Sequence, residues 1–308
     1  MLRSKYSLPV ILVASGTFAA AQELDAPEAL PFPMESVTIT QPGVLEFQLD
    51  LPLLDVLTTL EEVTLLGTLL PSGQVVDLDL RRLDFDPTTV GVFLNGQPST
   101  FDPEDLTLWK GDVVGLRGSH VFLALSSHGT YGWINDGLEY THISAMPGVN
   151  GSWASARGRM YSDRALAASG TQSGPPRCAL DELQGGPSGP FIASRDIGDP
   201  MPGAAPILEL KMSVETDFQL YKKWSNLQAE ETYVMALLGA VSDRYLQQLE
   251  VKITFPYLQF WNKPNDPWNA QDSGGNCVSV LDEFRAAWAG KIPAGGKLAH
   301  FLSGANLG

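Results

Sequence analysis

The chain has 308 residues, 44% hydrophobic and 18% charged, with a formal net charge of −15. That length suffices for two domains, each with a core of its own. The acidic balance excludes nucleic acid and anionic membrane surfaces as partners, since both need a basic face, and suits a soluble exported protein.

Residues 1–22 (MLRSKYSLPVILVASGTFAAAQ) have the layout of a cleaved signal peptide. Arg3 and Lys5 form the positive start, Leu8 to Val13 the apolar centre, and Ala19-Ala20-Ala21 the small-residue site before Gln22. The apolar run is too short to span a bilayer. The expected location is therefore secreted, periplasmic or extracellular, an oxidising setting, with no membrane contact after residues 1–21 are removed.

Residues 22–148 carry a β pattern. Ser36 to Leu49 and Val75 to Leu80 alternate between apolar and polar positions. Further strand-like runs lie at Val121 to Leu125, Tyr131 to Ile134 and Leu138 to Ile143. They are separated by Gly118-Ser119, His128-Gly129 and Asn135-Asp136-Gly137, which are hairpin turn signals. The segment Leu53 to Leu66 is ambiguous between helix and strand because it contains Thr58, Thr59 and Thr64. The expectation is an all-β, sandwich-like or roll-like domain.

Residues 149–205 are rich in Gly, Ser, Ala and Pro. Such a composition buries too little apolar surface to offset its ordering entropy, and it reads as a linker.

Residues 206–308 switch to an alternating pattern. Leu208, Leu210 and Met212 share one face of a strand. Thr216 or Asp217 is a plausible N-cap for a short helix through Phe218, Tyr221 and Trp224. A long amphipathic helix from about 229 to 248 repeats Val234, Leu237, Leu238, Val241, Tyr245 and Leu249 as one stripe. Val251 to Trp261 is a strand in which Pro256 marks an edge or a bulge. A second helix carries Val278, Leu281, Phe284 and Trp288, and Leu298 to Leu302 is a third strand.

Chemistry-bearing motifs are sparse. A hydrolytic zinc site needs three ligands and an open position, most compactly from H-E-x-x-H on a helix. None of His120, His128, His142 and His300 is followed by Glu or has a histidine partner four residues on. A nucleophile elbow, a phosphate loop and a dinucleotide fingerprint are also missing from the sequence. Cys178 and Cys277 are too few for a disulfide scaffold.

The element order ILELKMSVETD, TYVMALLGAVSDRYLQQLEVKITFPYLQFW, EFRAAW and LAHFLSG resembles the front half of the catalytic domain of adamalysin-type (reprolysin) zinc proteases, a metzincin family. The spacing of Phe284 and Trp288 departs by one residue from the family's Phe-x-x-Trp. The resemblance implies an α+β protein overall: an N-terminal all-β, sandwich-like propeptide domain followed by an incomplete α/β metzincin-type catalytic domain. It implies zinc as cofactor, with its three histidines and the glutamate base beyond the residues present here, and a protein or peptide substrate. This chain alone is expected to be inactive.

Under the same resemblance Pro175-Pro176-Arg177-Cys178 is similar to the cysteine switch of metzincin propeptides, in which a thiolate occupies the open zinc position. A disulfide from Cys178 to Cys277 or to another cysteine, or a free thiol, are the alternatives. Arg195 is a candidate activation cleavage site, and Glu209 matches a family calcium ligand, against the plainer reading of a solvent-facing strand carboxylate. The competing function is a non-catalytic secreted β-sandwich binding protein with a degenerate protease-like domain.

Overall fold

The computed structural model describes residues 27–83, 85, 90–100, 104–148, 151–153, 156–168, 207–272 and 276–305. Cys178 and Arg195 lie outside them. The first sheet is built from β1 (Glu28–Pro31), β2 (Met34–Gln41), β3 (Val44–Leu49), β4 (Glu62–Leu69), β5 (Val75–Arg82), β8 (Thr107–Val113), β9 (His120–Ser126), β10 (Gly129–Asn135), β11 (Tyr140–Met146) and β12 (Arg157–Ser162). Its order is β1-β4-β5-β8-β9-β10-β11-β12-β3-β2. All pairings are antiparallel except β1 with β4.

β1 and β2 are consecutive in the chain yet sit at opposite ends of the sheet. The chain bends at Phe32 and Pro33, where the Phe32 amide donates to the Leu66 carbonyl and the Asp50 amide to the Pro33 carbonyl. The sheet therefore curls on itself and encloses one core around Leu45, Leu65, Leu78, Trp109, Leu123 and Met160. Closure in this way removes most of the exposed edge that a flat sheet would present.

Helix α1 (Leu51–Leu57) plugs this core with Leu54 and Leu57. Asp50 caps it by accepting from the Leu53 amide at 3.1 Å. The Thr58 and Thr59 hydroxyls bond back to the Asp55 and Val56 carbonyls at its end. The ambiguous segment thus divides into a helix and then β4. Helix α2 (Asp163–Ala168) follows β12. Both lie inside residues 149–205, expected as a linker; β12 pairs with β11 and β3 and carries the buried Met160, so the first unit runs on to Ala168.

The second sheet has the order β15-β13-β14-β6-β7, with β13 (Leu208–Thr216), β14 (Val251–Phe260), β15 (Leu298–Leu302), β6 (Gly91–Leu94) and β7 (Gln97–Ser99). β13, β14, β15 and β6 run parallel, and β7 returns antiparallel beside β6. Pro256 sits where the pairing of β13 with β14 slips between Lys211 and Ser213, so it marks a bulge rather than an edge. From β13 the chain passes through α3 (Phe218–Trp224) and α4 (Leu227–Leu249) to β14, then through α5 (Cys277–Trp288) to β15 on the other side of β13.

Helix α4 has two buried faces, not the single expected stripe. Val234, Met235 and Leu238 pack against Ile253, Phe255 and Phe260 of the second sheet. Ala236 and Ala240 pack against Leu108, Phe122, Ala124 and Trp133 on the outer face of the first sheet. The predicted stripe positions Tyr245 and Leu249 are exposed.

These observations overturn the expected fold class. The described residues are 44% strand and 26% helix, mostly β rather than α+β. The N-terminal strands form one ten-stranded curled sheet and not a two-sheet sandwich. The later strands do not form a self-contained α/β metzincin-type sheet, because β6 and β7 from residues 91–99 complete it. The reason is that alternation marks a strand as half-buried but does not say which surface covers it. A curled sheet and a stacked pair produce the same pattern.

Candidate functional site at the carboxyl end of the second sheet

In an open parallel sheet, ligand sites form where consecutive connections leave one strand end in opposite directions. That point here is the end of β13, because β14 and β15 flank it. Glu215, Thr216 and Asp217 occupy it, and all three are buried. Successive strand residues face opposite sides of the sheet, so Glu215 and Thr216 enter different surroundings.

Glu215 is 4% exposed and lies among indoles. It accepts from Trp261 Nε1 at 2.8 Å and Trp268 Nε1 at 3.2 Å. Burial pushes its carboxyl up to about 7, while the indoles of Trp261, Trp268 and Trp288 oppose the rise and the charge of Asp266 adds to it. Burial and the neighbouring Glu215 push the Tyr257 phenol up to about 12. Trp268 stacks among Phe284 of α5 and Phe301 of β15, with ring centroids 5.3 and 5.0 Å away.

Asp217 is fully buried and caps α3 by accepting from the Leu220 amide at 2.7 Å. It also accepts from the Gly304 amide at 3.0 Å and from the Ser303 hydroxyl. A Cβ on Gly304 would stand 2.2 Å from the Gln219 carbonyl oxygen, so glycine is what lets the chain after β15 cross the start of α3. Asp266 accepts from the Phe218 amide at 2.7 Å and the Trp268 amide at 3.2 Å. Burial raises its carboxyl above the usual range, against the pull of those two amides.

On the α4 side, Glu230 is fully buried, and neither carboxyl oxygen has a hydrogen-bond partner among the described residues. Burial drives its carboxyl up to about 9. The charges of Glu231 and Asp217 add to that rise.

Chemically, the arrangement is a clamp. Three carboxyls tie the segments that follow β13, β14 and β15 into one edge, and a carboxyl near 7 is in the range suited to proton transfer. Glu215 is closed over by aromatic rings, however. Two clefts of the structure open elsewhere. One of about 400 Å³ lies beside α4, lined by Trp133, Tyr140, His142 and Arg244 among others. The other, of about 530 Å³, is lined by Asp136, Glu139, Asp163 and Arg164 among others.

The clamp has a direct stability consequence. Asp217→Ala removes a cap, worth about 1 kcal/mol, and leaves the buried Leu220 and Gly304 amides without their acceptor, at about 1–3 kcal/mol. We expect a total loss of about 2–4 kcal/mol, read from the urea midpoint at unchanged slope.

The residues singled out from sequence fall apart in space. Glu209 is exposed near the start of β13, away from the clamp, and accepts from the Thr254 hydroxyl at 2.9 Å. Cys277, half-buried at the first position of α5, is bonded to no described cysteine. Cys178 and Arg195 are outside the described residues. His120 lies 3.4 Å from Asp243, and His142 lies 2.7 Å from Asp163. His128 and His300 stand in a turn and on β15. No group of three or more His, Cys, Asp or Glu side chains that could hold a metal ion occurs among the described residues. The described residues therefore do not fit a catalytic zinc ion.

The sequence offered Thr216 or Asp217 as the cap, of which Asp217 serves, and did not single out Glu215, Glu230 or Asp243. Glu230 in a first helical turn has the look of a solvated residue favoured by the helix dipole. The weak signal was a run of non-hydrophobic residues, Ser213 to Asp217, around a single valine at the end of a strand that begins with alternating apolar residues.

No family model matches the sequence, and neither does any curated protein. Among solved structures the chain is similar to metalloproteinase-II from Bacteroides fragilis, at 12% identity and a TM-score of 0.40. The match covers 91% of this chain and 74% of that one. A likeness of that degree assigns neither family nor chemistry.

Proposed function

We propose that this chain is part of the precursor of a secreted zinc metalloendopeptidase of adamalysin-like type, with its zinc-binding segment not among these 308 residues. The observation that carries the reading is the order strand, two helices, strand, helix, strand across 208–302, with the sequence ILELKMSVETD opening it and LAHFLSG closing it. In this reading the N-terminal unit, which extends through β12 to Ala168, is propeptide-like, and Cys178 is the inhibitory zinc ligand. Arg195 is the processing site, and the substrate is a protein or peptide. The clamp at Glu215, Asp217 and Asp266 would hold in place the edge from which a zinc-bearing segment continues. No catalytic step is assigned to the residues described.

Two measurements test the reading. An in-frame H-E-x-x-H within about a hundred residues after codon 308, the size of a domain remainder, supports it. A stop codon there supports the non-catalytic binding protein instead. Purified 1–308 incubated with zinc and an unfolded protein substrate is expected to cleave nothing, and robust cleavage abolished by a chelator would overturn the proposal.

A further inference from the structure

We infer that the N-terminal unit (27–168) stays bound to the 207–305 unit when the chain between them is cut, so that a single cleavage does not release it. The occupant of the surface formed by the β14 edge and the outer face of α4 is this chain's own N-terminal unit, and three independent sets of contacts hold it there.

The first is strand addition. β6 pairs along β14 from Gly91 opposite Tyr257 to Leu94 opposite Phe260. The Asn95 amide then donates to the Phe260 carbonyl at 2.9 Å. The Asn95 side chain closes a pair with Asn262, donating to Asn262 Oδ1 at 2.7 Å and accepting from the Asn262 amide at 3.2 Å. Val92 is 4% exposed and belongs to the core of the second sheet. Backbone bonds of this kind supply affinity, and an apolar side chain set in the partner's core supplies register.

The second is the α4 seam. A Cβ on Gly239 would lie 2.7 Å from Leu108 Cδ1 and 3.4 Å from Leu83 Cδ2, so the helix is glycine where the first sheet presses closest. Tyr131 packs edge-on against Tyr233 at 5.5 Å, and Phe85 against Phe255 at 5.7 Å. Separation would return both sets of rings to water.

The third is electrostatic. The Asp243 side chain on α4 is fully buried, and its oxygens lie 3.3 Å from Lys110 Nζ on β8 and 3.4 Å from His120 Nε2 on β9. Gln247, also on α4, donates to Asp243 Oδ2 at 2.8 Å. The lysine and the histidine come from the N-terminal unit and the acid from the other, so complementarity runs across the seam.

The association rests on these contacts alone. Its meaning for maturation, that removal of the first unit needs its further degradation, rests on the precursor reading. In the test, a recognition sequence for a site-specific protease is inserted between residues 169 and 206 of the full chain, which is cut to completion and passed over a sizing column at micromolar concentration. The two fragments are expected to elute together, at the volume of the uncut chain. Two folded fragments eluting separately would overturn the inference.

A seam variant, Gly239→Leu with Asp243→Lys, places bulk against Leu108 and a cation against Lys110. After cutting, its apparent dissociation constant is expected to rise at least 100-fold over the parent's. The milder Lys110→Met, with about a tenfold rise, serves if the double variant does not fold before cutting. Association of both variants as tight as the parent's would also overturn the inference. The column reads association whether or not a zinc-binding segment follows residue 308, so its failure is separable from failure of the functional proposal.

Discussion

Gly132→Val is expected to unfold the first sheet, at a cost of about 4 kcal/mol or more, the range reserved for backbone collisions in a core. Gly132 lies on β10 between β9 and β11 with φ +147, and a Cβ there would stand 2.1 Å from the Phe122 carbonyl oxygen and 3.0 Å from Leu123 Cα. Both obstacles are backbone of the paired strand, and neither can swing aside. β9 carries Val121, Leu123 and Leu125 into the enclosed core, and Phe122 and Ala124 into the seam with α4. A displaced β9 therefore loosens both surfaces of the sheet at once. Gly137→Ala is the control. Its φ is +87, but the nearest atom to a Cβ is the Arg117 carbonyl oxygen at 3.8 Å, so it is expected to cost about 1 kcal/mol of backbone strain. Denaturant unfolding followed by tryptophan fluorescence separates the two, and equal losses would show that φ and not the collision governs the site.

Stability is expected to fall as pH rises from 5 to 8, with most of the fall carried by Glu230. In the folded chain the Glu215 and Glu230 carboxyls are pushed up to about 7 and about 9 from an ordinary value of 4.5. Above pH 4.5 the unfolded chain loses these protons while the folded chain keeps them, so the unfolded state is favoured as pH rises. For Glu215 the effect ends near pH 7, and for Glu230 it continues to about 9. Each unit of separation is worth about 1.4 kcal/mol. A melting temperature lower by about 5 °C or more at pH 8 than at pH 5 follows for a chain of this size. Glu230→Gln keeps the shape and removes the ionisation, so it is expected to flatten the dependence and to melt above the parent at pH 8. A variant as pH-dependent as the parent would show that Glu230 ionises freely when folded.

Local features were legible because they depend on neighbours a few residues apart. Thr216-Asp217 before Phe218 and Tyr221 announced a cap for α3, and Asp217 is the residue that makes it. Asp136-Gly137 announced the β10–β11 hairpin, and Leu298 to Leu302 proved to be β15. The long helix was expected at 229–248 and spans Leu227–Leu249. Its surroundings were not legible. A helix covered on two sides keeps small residues such as Ala236, Gly239 and Ala240 on the second face, and these register weakly in an apolar stripe. Asp243 on that face reads as solvated until Lys110 and His120, more than a hundred positions earlier, are placed beside it.

By itself the sequence marked many of the strands, caps and turns, though not β1, β6, β7 or β12, and it placed no metal-binding histidine motif in these residues. Tertiary structure decided which surfaces meet. It curled one sheet through the bend at Phe32 and Pro33, lent β6 and β7 to a sheet formed by residues 208–302, and buried Glu215, Glu230 and Asp243. The physical reason is one of range. Hydrogen bonding within a turn and the period of side chains along a strand are written into adjacent residues. The partner of a sheet edge, and the desolvation of a carboxyl, depend on segments that only the folded chain brings together.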